Sequence, residues 1–324
     1  MATPGGGYDF SPPFAKVTTR ISAADLALCH LETPLTSTNT NLSVPGKLVF
    51  NTPHQLAPAL KKAGYDGCEF ASNHTLDQGL AGLADTEQVM ADAGLPLAGP
   101  SADEARSGEA QVYDVKDASV AHLAYSYTAY NMGGPSTDLP PDAPWIGRSV
   151  WPVHGADGII RDAKQAHDDG ADFVVVSMHW GAEYQTAPTQ DQRTLARELL
   201  GSGAVDLILG THVHVIQPCE VINGRYVFYG LGNFLSNQGP YPGSGLRVET
   251  QEGLMVQVTL SRDEAGALTS TAAYQPTRVR LPGWVIEPVS TTHHPETYRR
   301  TSATLQSLGG CELTDMEGVS TPRR

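Results

Sequence analysis

A chain of 324 residues is long enough to bury a full-sized core, and its 40% apolar and 17% charged residues exclude wholesale disorder. A formal charge of −14 excludes general affinity for nucleic acid or for an anionic membrane surface, although a bound cation can reverse the field locally for a small anionic substrate. No apolar run approaches the ~18 residues of a membrane span, and MATPGGGYDFSPPF at the N-terminus lacks the basic and apolar segments of a secretion signal. The four cysteines, Cys29, Cys68, Cys219 and Cys311, form no CxxC pair. They read as reduced, buried thiols, and the chain as a soluble cytoplasmic protein.

ADLALCHLE (24–32) is expected as a strand and PHQLAPALKKAG (53–64) as a helix closed by Gly64. CEFAS (68–72) follows as a strand, GLAGLADTEQVMADAG (79–94) as a helix and SVAHLAYSYT (119–128) as a strand. This alternation is that of a layered α/β fold. Residues 131–152, rich in Pro and Gly and carrying Trp145 and Trp151, make a long loop. A surface connection would explain it, but loops of this length are often functional, and substrate contact is expected of its tryptophans. The α/β pattern resumes with a helix near 155–169, the strand DFVVVSMHW (172–180), a helix near 190–202 and the strand VDLILG (205–210). VIQPCEVI, RYVFYG, GLMVQVTL and LTSTAAYQPTRV are then mostly β, with Asn223-Gly224 as a hairpin turn. An α/β half followed by a β-rich half suggests two packed sheets with helices outside. Residues 296–308 suit a last helix, and the polar tail from about Thr314 is expected to fray.

Four strand ends are followed at once by metal-type ligands: His30 and Glu32; Asn73, His74 and Asp77; His179 and Glu183; His212 and His214. In layered α/β sheets, loops from different strands converge beyond the carboxyl ends of the strands. His212 and His214, two apart on an extended segment, would point the same way. Taken singly each motif is weak, since a lone histidine is more often a hydrogen-bonded structural residue. Together, imidazole, amide and carboxylate donors suit Mn, Fe, Zn or Ca. His54, His122, His154 and His167 lie within helix or strand patterns and His293-His294 near the tail, so all six read as structural.

LETP, AGYDGCEFASNHTLDQG, MHWGAEY and GTHVHVIQPCEVINGRYVFYGLGNF resemble the bacterial capsule-synthesis proteins of the CapA, poly-γ-glutamate synthesis type, a branch of the calcineurin-like metallophosphoesterases. The resemblance runs from about Tyr8 to Leu260. It implies a four-layer α/β/β/α sandwich over residues 1–310, with 311–324 as a polar tail. By motif, Glu32 resembles a bridging carboxylate, Asn73 an amide ligand, His179 and His212 imidazole ligands of one metal, and His214 a ligand of the other. His74 resembles the general acid, with Asp77 orienting it. Glu183, Glu220 and Asn233 would be supporting or substrate-side groups, with a structural role equally open to them.

Two departures matter. The family's first strand, ending in Gly-Asp, has no counterpart before MATPGGGYDF, and Asp9 follows no apolar strand, so either the start is truncated or half of the metal site is lost. One divalent ion is therefore expected instead of a pair. His30 stands where the family usually has asparagine, adding a titratable group beside Glu32. The resulting expectation is a metal-dependent enzyme acting on a peptide or poly-γ-glutamyl substrate, by hydrolysis or by Cα proton exchange with His30, His74 and His214 as proton carriers. The alternative is a non-catalytic component of polymer synthesis or export.

Overall fold

Two single-turn helices, α1 (Ser11–Phe14) and α2 (Thr18–Ile21), open a computed structural model that describes residues 1–3, 7–44 and 46–316. Apart from a bridge between Ala2 and Tyr8, no strand precedes Leu28 among the described residues. The chain divides into two compact units, one of Met1–Pro12 with Asp25–His179 and one of Pro13–Ala24 with Trp180–Arg324. No helix among the described residues is long and apolar enough to cross a membrane.

In the first unit, β1 (Leu28–His30) is followed by a two-stranded parallel pair, β2 (Leu35–Thr36) with β3 (Thr52–Pro53). The helix α3 (Leu56–Ala63) buries Leu56, Ala57, Leu60 and Ala63 at helical spacing. Gly64 ends it at φ 105°, a left-handed conformation that costs glycine little. Strand β4 (Gly67–Glu69) then pairs in parallel with β1, setting Cys29 opposite Cys68 and His30 opposite Glu69. It is shorter than the expected 68–72 because Thr75 Oγ1 donates to the carbonyls of Phe70 and Ser72 and turns the chain out of the sheet. Helix α4 (Gly79–Asp92) leads to β5 (Leu97–Ala98), parallel to β4. A second sheet follows: β6 (Gln111–Val115) and β7 (Ala118–Ser126) form a hairpin, α5 (Trp151–Asp168) crosses, and β8 (Phe173–His179), buried at all seven positions, pairs in parallel with β7. Ala71, Ala98 and Ala124 form a buried cluster whose small side chains permit close packing.

In the second unit, α6 (Gln190–Gly201) begins at a reciprocal cap in which Thr189 and Gln192 satisfy each other's backbone N–H. Strand β9 (Leu207–Thr211) pairs in parallel with β11 (Arg225–Phe228), which pairs antiparallel with β10 (Cys219–Ile222). Asn223 and Gly224, both at positive φ, make the expected two-residue turn. A separate antiparallel sheet contains β12 (Glu252–Arg262), β13 (Leu268–Arg280) and β14 (Val285–Pro288), and α7 (Pro295–Leu305) follows.

Three expectations are corrected. All four cysteines are paired, Cys29 with Cys68 and Cys219 with Cys311, at Cα separations of 4.3 and 6.0 Å. The partners are 39 and 92 residues apart, so spacing along the chain could not announce them. The tail does not fray at Thr314, because β15 (Thr314–Asp315) adds in parallel to β13 and Tyr298 donates to Asp315 at 2.5 Å; residues 317–324 lie outside the described residues. The segment 131–152 is not one loop, since Pro144–Ser149 is a 3₁₀ turn and Trp151 already begins α5.

Candidate metal centre

Every ligand candidate of the first unit stands at or just beyond a strand end. His30 closes β1, Glu69 closes β4 and His179 closes β8. One ligating atom each of His30, Glu32 and His179 lies within 4.8 Å of the others. The His30 and His179 rings stack at 5.0 Å, and Tyr127 flanks His179 at 6.0 Å. Asn73, 2% exposed, presents Oδ1 to His179 Nε2 at 2.8 Å. Its Nδ2 donates to Asn131 Oδ1 at 3.0 Å, while Asn131 Nδ2 donates to the Leu48 carbonyl at 3.3 Å. These donations fix the direction of both amides, so Asn73 Oδ1 is the atom turned to the cluster.

His30 is held by a carboxylate the sequence reading passed over. Glu69, 1% exposed, accepts from His30 Nδ1 through one oxygen and from the Ala71 N–H at 2.8 Å through the other. Burial opposes a charged imidazole, yet the charge and hydrogen bond of Glu69, with Glu32 behind it, raise the His30 pKa above the ordinary histidine value. The remaining atom, His30 Nε2, is buried without a hydrogen-bond partner among the described residues. In the neutral ring that nitrogen carries a lone pair beside two acidic groups, an arrangement that fits a cation taking the place of a proton there and offsetting the surplus negative charge. His30, Glu32, Asn73 and His179 would hold it.

His74 and Asp77 form a second pair in the same loop, Nδ1 to Oδ2 at 2.8 Å. Asp77 Oδ2 also accepts from the Phe50 N–H at 2.6 Å, and the Phe50 ring lies 4.3 Å from that of His74. Because a carboxylate only accepts, His74 Nδ1 is the donor and its Nε2 carries the lone pair in the neutral ring.

In the second unit, the extended geometry expected of His212 and His214 is not found. Both have positive φ, 86° and 58°, and their rings lie 6.3 Å apart on a turn beyond β9. A left-handed conformation costs a non-glycine residue about 1–2 kcal/mol, a strain that surrounding structure must impose. Tyr184 N donates to Val213 O at 2.8 Å, holding the residue between the two histidines. Gly210 and Gly230 allow the close packing around them, since a Cβ at Gly210 would collide with the Tyr229 carbonyl and one at Gly230 with Val213. Asn233 Oδ1 faces His214 Nδ1 at 3.0 Å, and its Nδ2 donates to Thr250 O at 2.8 Å. That second bond fixes Oδ1 as the acceptor, leaving the lone pair of neutral His214 on Nε2, 3.9 Å from Glu183 Oε1. Glu220, named with these groups in the sequence reading, instead accepts from the Tyr229 hydroxyl.

Both tryptophans expected to meet substrate lie in the first unit. Trp145 is half-buried, with Nε1 donating to Ser101 O at 3.1 Å and its carbonyl accepting from Ser107. Trp151 is half-buried in the first turn of α5. Neither of the two Trp145 bonds involves the histidine cluster; the 131–152 segment reaches it through Asn131 instead. A carboxylate ending the otherwise apolar β4, in register with His30, was the available signal for Glu69.

The chain matches the family model described as "Bacterial capsule synthesis protein PGA_cap" over residues 1–238. It is 30% identical over 251 residues to the PGA biosynthesis protein CapA of Bacillus subtilis, covering 77% of this chain and 61% of that protein. Identity to the capsule biosynthesis protein CapA of Bacillus anthracis is 31% over 210 residues, covering 65% and 47%. The chain thus spans about half to three fifths of these two relatives. Among solved structures it is similar to the calcineurin-like phosphoesterase YfkN of Bacillus subtilis, with TM-score 0.38 and 15% identity over 76% of this chain and 73% of that one. It is also similar to a 5'-nucleotidase precursor of Thermus thermophilus, with TM-score 0.36 and 15% identity over 78% and 45%. With four motifs in order and nearly three quarters of its length under the family model, the chain belongs to the bacterial capsule synthesis PGA_cap family.

Proposed function

We propose that the chain is a divalent-cation-dependent enzyme that works on an amide of a peptide or poly-γ-glutamyl substrate through histidine–carboxylate proton transfer. The observation that carries this reading is the buried, unpartnered Nε2 of His30 in a group whose ligating atoms lie within 4.8 Å of one another. A cation bound there would polarise a carbonyl or a water. Glu69 holds the His30 ring, and Asn73 turns its oxygen to His179. His74, its tautomer set by Asp77, is suited to carry a proton at Nε2. His214, set by Asn233, has the same capacity in the second unit. The unit-one donor set supports one ion per chain.

Two outcomes share this machinery. In hydrolysis a water adds to the carbonyl and the amine leaves with a proton. In Cα exchange a base removes the α-proton and an acid returns one. Protein stripped of metal and reloaded separately with Mn²⁺, Zn²⁺, Ca²⁺ or Fe²⁺ is incubated with mixed peptides and oligo-γ-glutamates in D₂O and in ¹⁸O-water. Metal-dependent heavy oxygen in a new carboxylate identifies hydrolysis, and deuterium gained without cleavage identifies exchange. Neither label with any reloaded metal would overturn the enzyme reading. A tight-ion count near zero or two would overturn the single centre.

A further inference from the structure

Next to the histidine cluster of the first unit, the chain exposes apolar side chains on segments that are firmly tied down. Among the described residues nine large apolar side chains stand exposed, and three of them, Leu48 at 69%, Val49 at 53% and Met132 at 41%, sit on two segments joined by Asn131. The joint is specific. Asn131 Nδ2 holds the Leu48 carbonyl at 3.3 Å and Asn131 Oδ1 receives Asn73, the residue facing His179. One residue on, Phe50 gives its N–H to Asp77 at 2.6 Å, receives Gln78 Nε2 on its carbonyl at 2.8 Å and lays its ring against His74. The Met132 carbonyl is held by the Tyr127 hydroxyl at 2.9 Å, and Tyr127 flanks His179. The backbone is thus pinned to the site while the apolar side chains stay in water. Single exposed apolar residues are ordinary; three on two hydrogen-bonded, pinned segments beside the histidine cluster offer a candidate binding surface.

We propose that Leu48, Val49 and Met132 form an apolar lip that receives an apolar side chain of an extended peptide, beside the amide or Cα under attack. This rests on the reading of the site as a peptide-directed enzyme, and it narrows the substrate to a mixed peptide in place of an all-anionic γ-glutamyl polymer. Charge agrees. The protein carries −14 overall, and Lys47 is the only charged side chain between residues 37 and 51, a single pairing partner for a polyanion in that segment. An apolar side chain instead removes both its own surface and that of the lip from water.

The test is binding, measured apart from turnover. Two fluorescein-labelled decapeptides, one alternating Leu and Ser and one of γ-linked glutamate, are titrated with the metal-loaded protein and followed by anisotropy. The apolar peptide is expected to bind at least tenfold more tightly, a margin within what one apolar subsite supplies. The double variant Leu48→Ser/Val49→Ser, and separately Met132→Ser, should cut that margin to about twofold or less while metal content stays that of the wild type. Equal binding, tighter binding of the glutamate polymer, or an unchanged margin in both variants would overturn the proposal. So would a wild-type dimer by light scattering that Leu48→Ser/Val49→Ser dissociates, since the lip would then belong to a second copy of the chain. A binding preference without either isotope label would sink the enzyme reading and leave the lip standing.

Discussion

Replacing Glu69 by glutamine preserves shape and removes one acceptor oxygen, and the two partners of Glu69 make the consequence calculable. Its oxygens face His30 Nδ1 and the Ala71 N–H, both donors. An amide offers one oxygen and one NH₂. If the oxygen turns to His30, the NH₂ meets the Ala71 N–H, donor against donor. If it turns to Ala71, the NH₂ faces His30 Nδ1, which must become the acceptor, and the ring proton moves to Nε2. The first orientation loses one buried, charge-assisted hydrogen bond, worth about 1.5–3 kcal/mol, and the second replaces one by a neutral bond, which costs part of that. The second also removes the Nε2 lone pair from the cluster, and loss of such an orienting partner lowers metal affinity by roughly 10–100-fold. Urea unfolding of the metal-free protein reads the first effect, and equilibrium dialysis against Mn²⁺ or Zn²⁺ with elemental analysis reads the second. Stability within about 0.5 kcal/mol of the wild type, together with affinity within about twofold, would refute the assignment of Glu69 as the group that positions His30.

Asn233→Ala removes the acceptor that fixes His214, so activity should fall by about tenfold or more while unfolding shows a loss near 1 kcal/mol; an unchanged pH–rate profile would count against the positioning role. His122, fully buried with Nε2 bonded to Ser177, is pushed down to about 4 by burial, against a small opposing pull from Glu69. Its folded pKa lies below the unfolded value near 6.5, so its contribution is complete above pH 6.5 and is lost as pH falls towards 4. That amounts to about 3 kcal/mol, and urea unfolding of His122→Asn should lack this part of the slope. Unfolded without reductant, the protein should show no free thiol to a chromogenic disulfide reagent, and four after reduction. Breaking Cys219–Cys311 by a double serine substitution should cost about 2–4 kcal/mol, read by urea unfolding against the wild type.

Much of the layered architecture was readable because its elements carry their own punctuation. Gly64 closes α3, and Asn223-Gly224 turns β10 into β11. The β6–β7 hairpin escaped because Lys116 and Asp117 turn it, with Lys116 at φ 54° and no Asn-Gly signal. The two-residue strands β2, β3 and β5 are too short to show a period. Among the site residues, the strand-end rule brought out His30, Glu32, Asn73 and His179, which the fold gathers in one place. Glu69 and Asn131 were hidden because their roles come from register and loop packing instead of from a motif. The backbone of His212 and His214 misled for the opposite reason: two-residue spacing suggested a strand where the chain adopts left-handed φ.

The Cys29–Cys68 bond has a consequence for how faithfully the centre assembles. Strands β1 and β4 are three residues each, paired at only three positions, so little in their ladder penalises a shift by one. Such a slip would carry His30 opposite Cys68 or Phe70 and swing alternate side chains to the wrong side of the sheet. A covalent pin one position before His30 and Glu69 removes those misaligned states. Oxidation would then act as a proofreading step, completing the alignment of the two groups before any ion arrives.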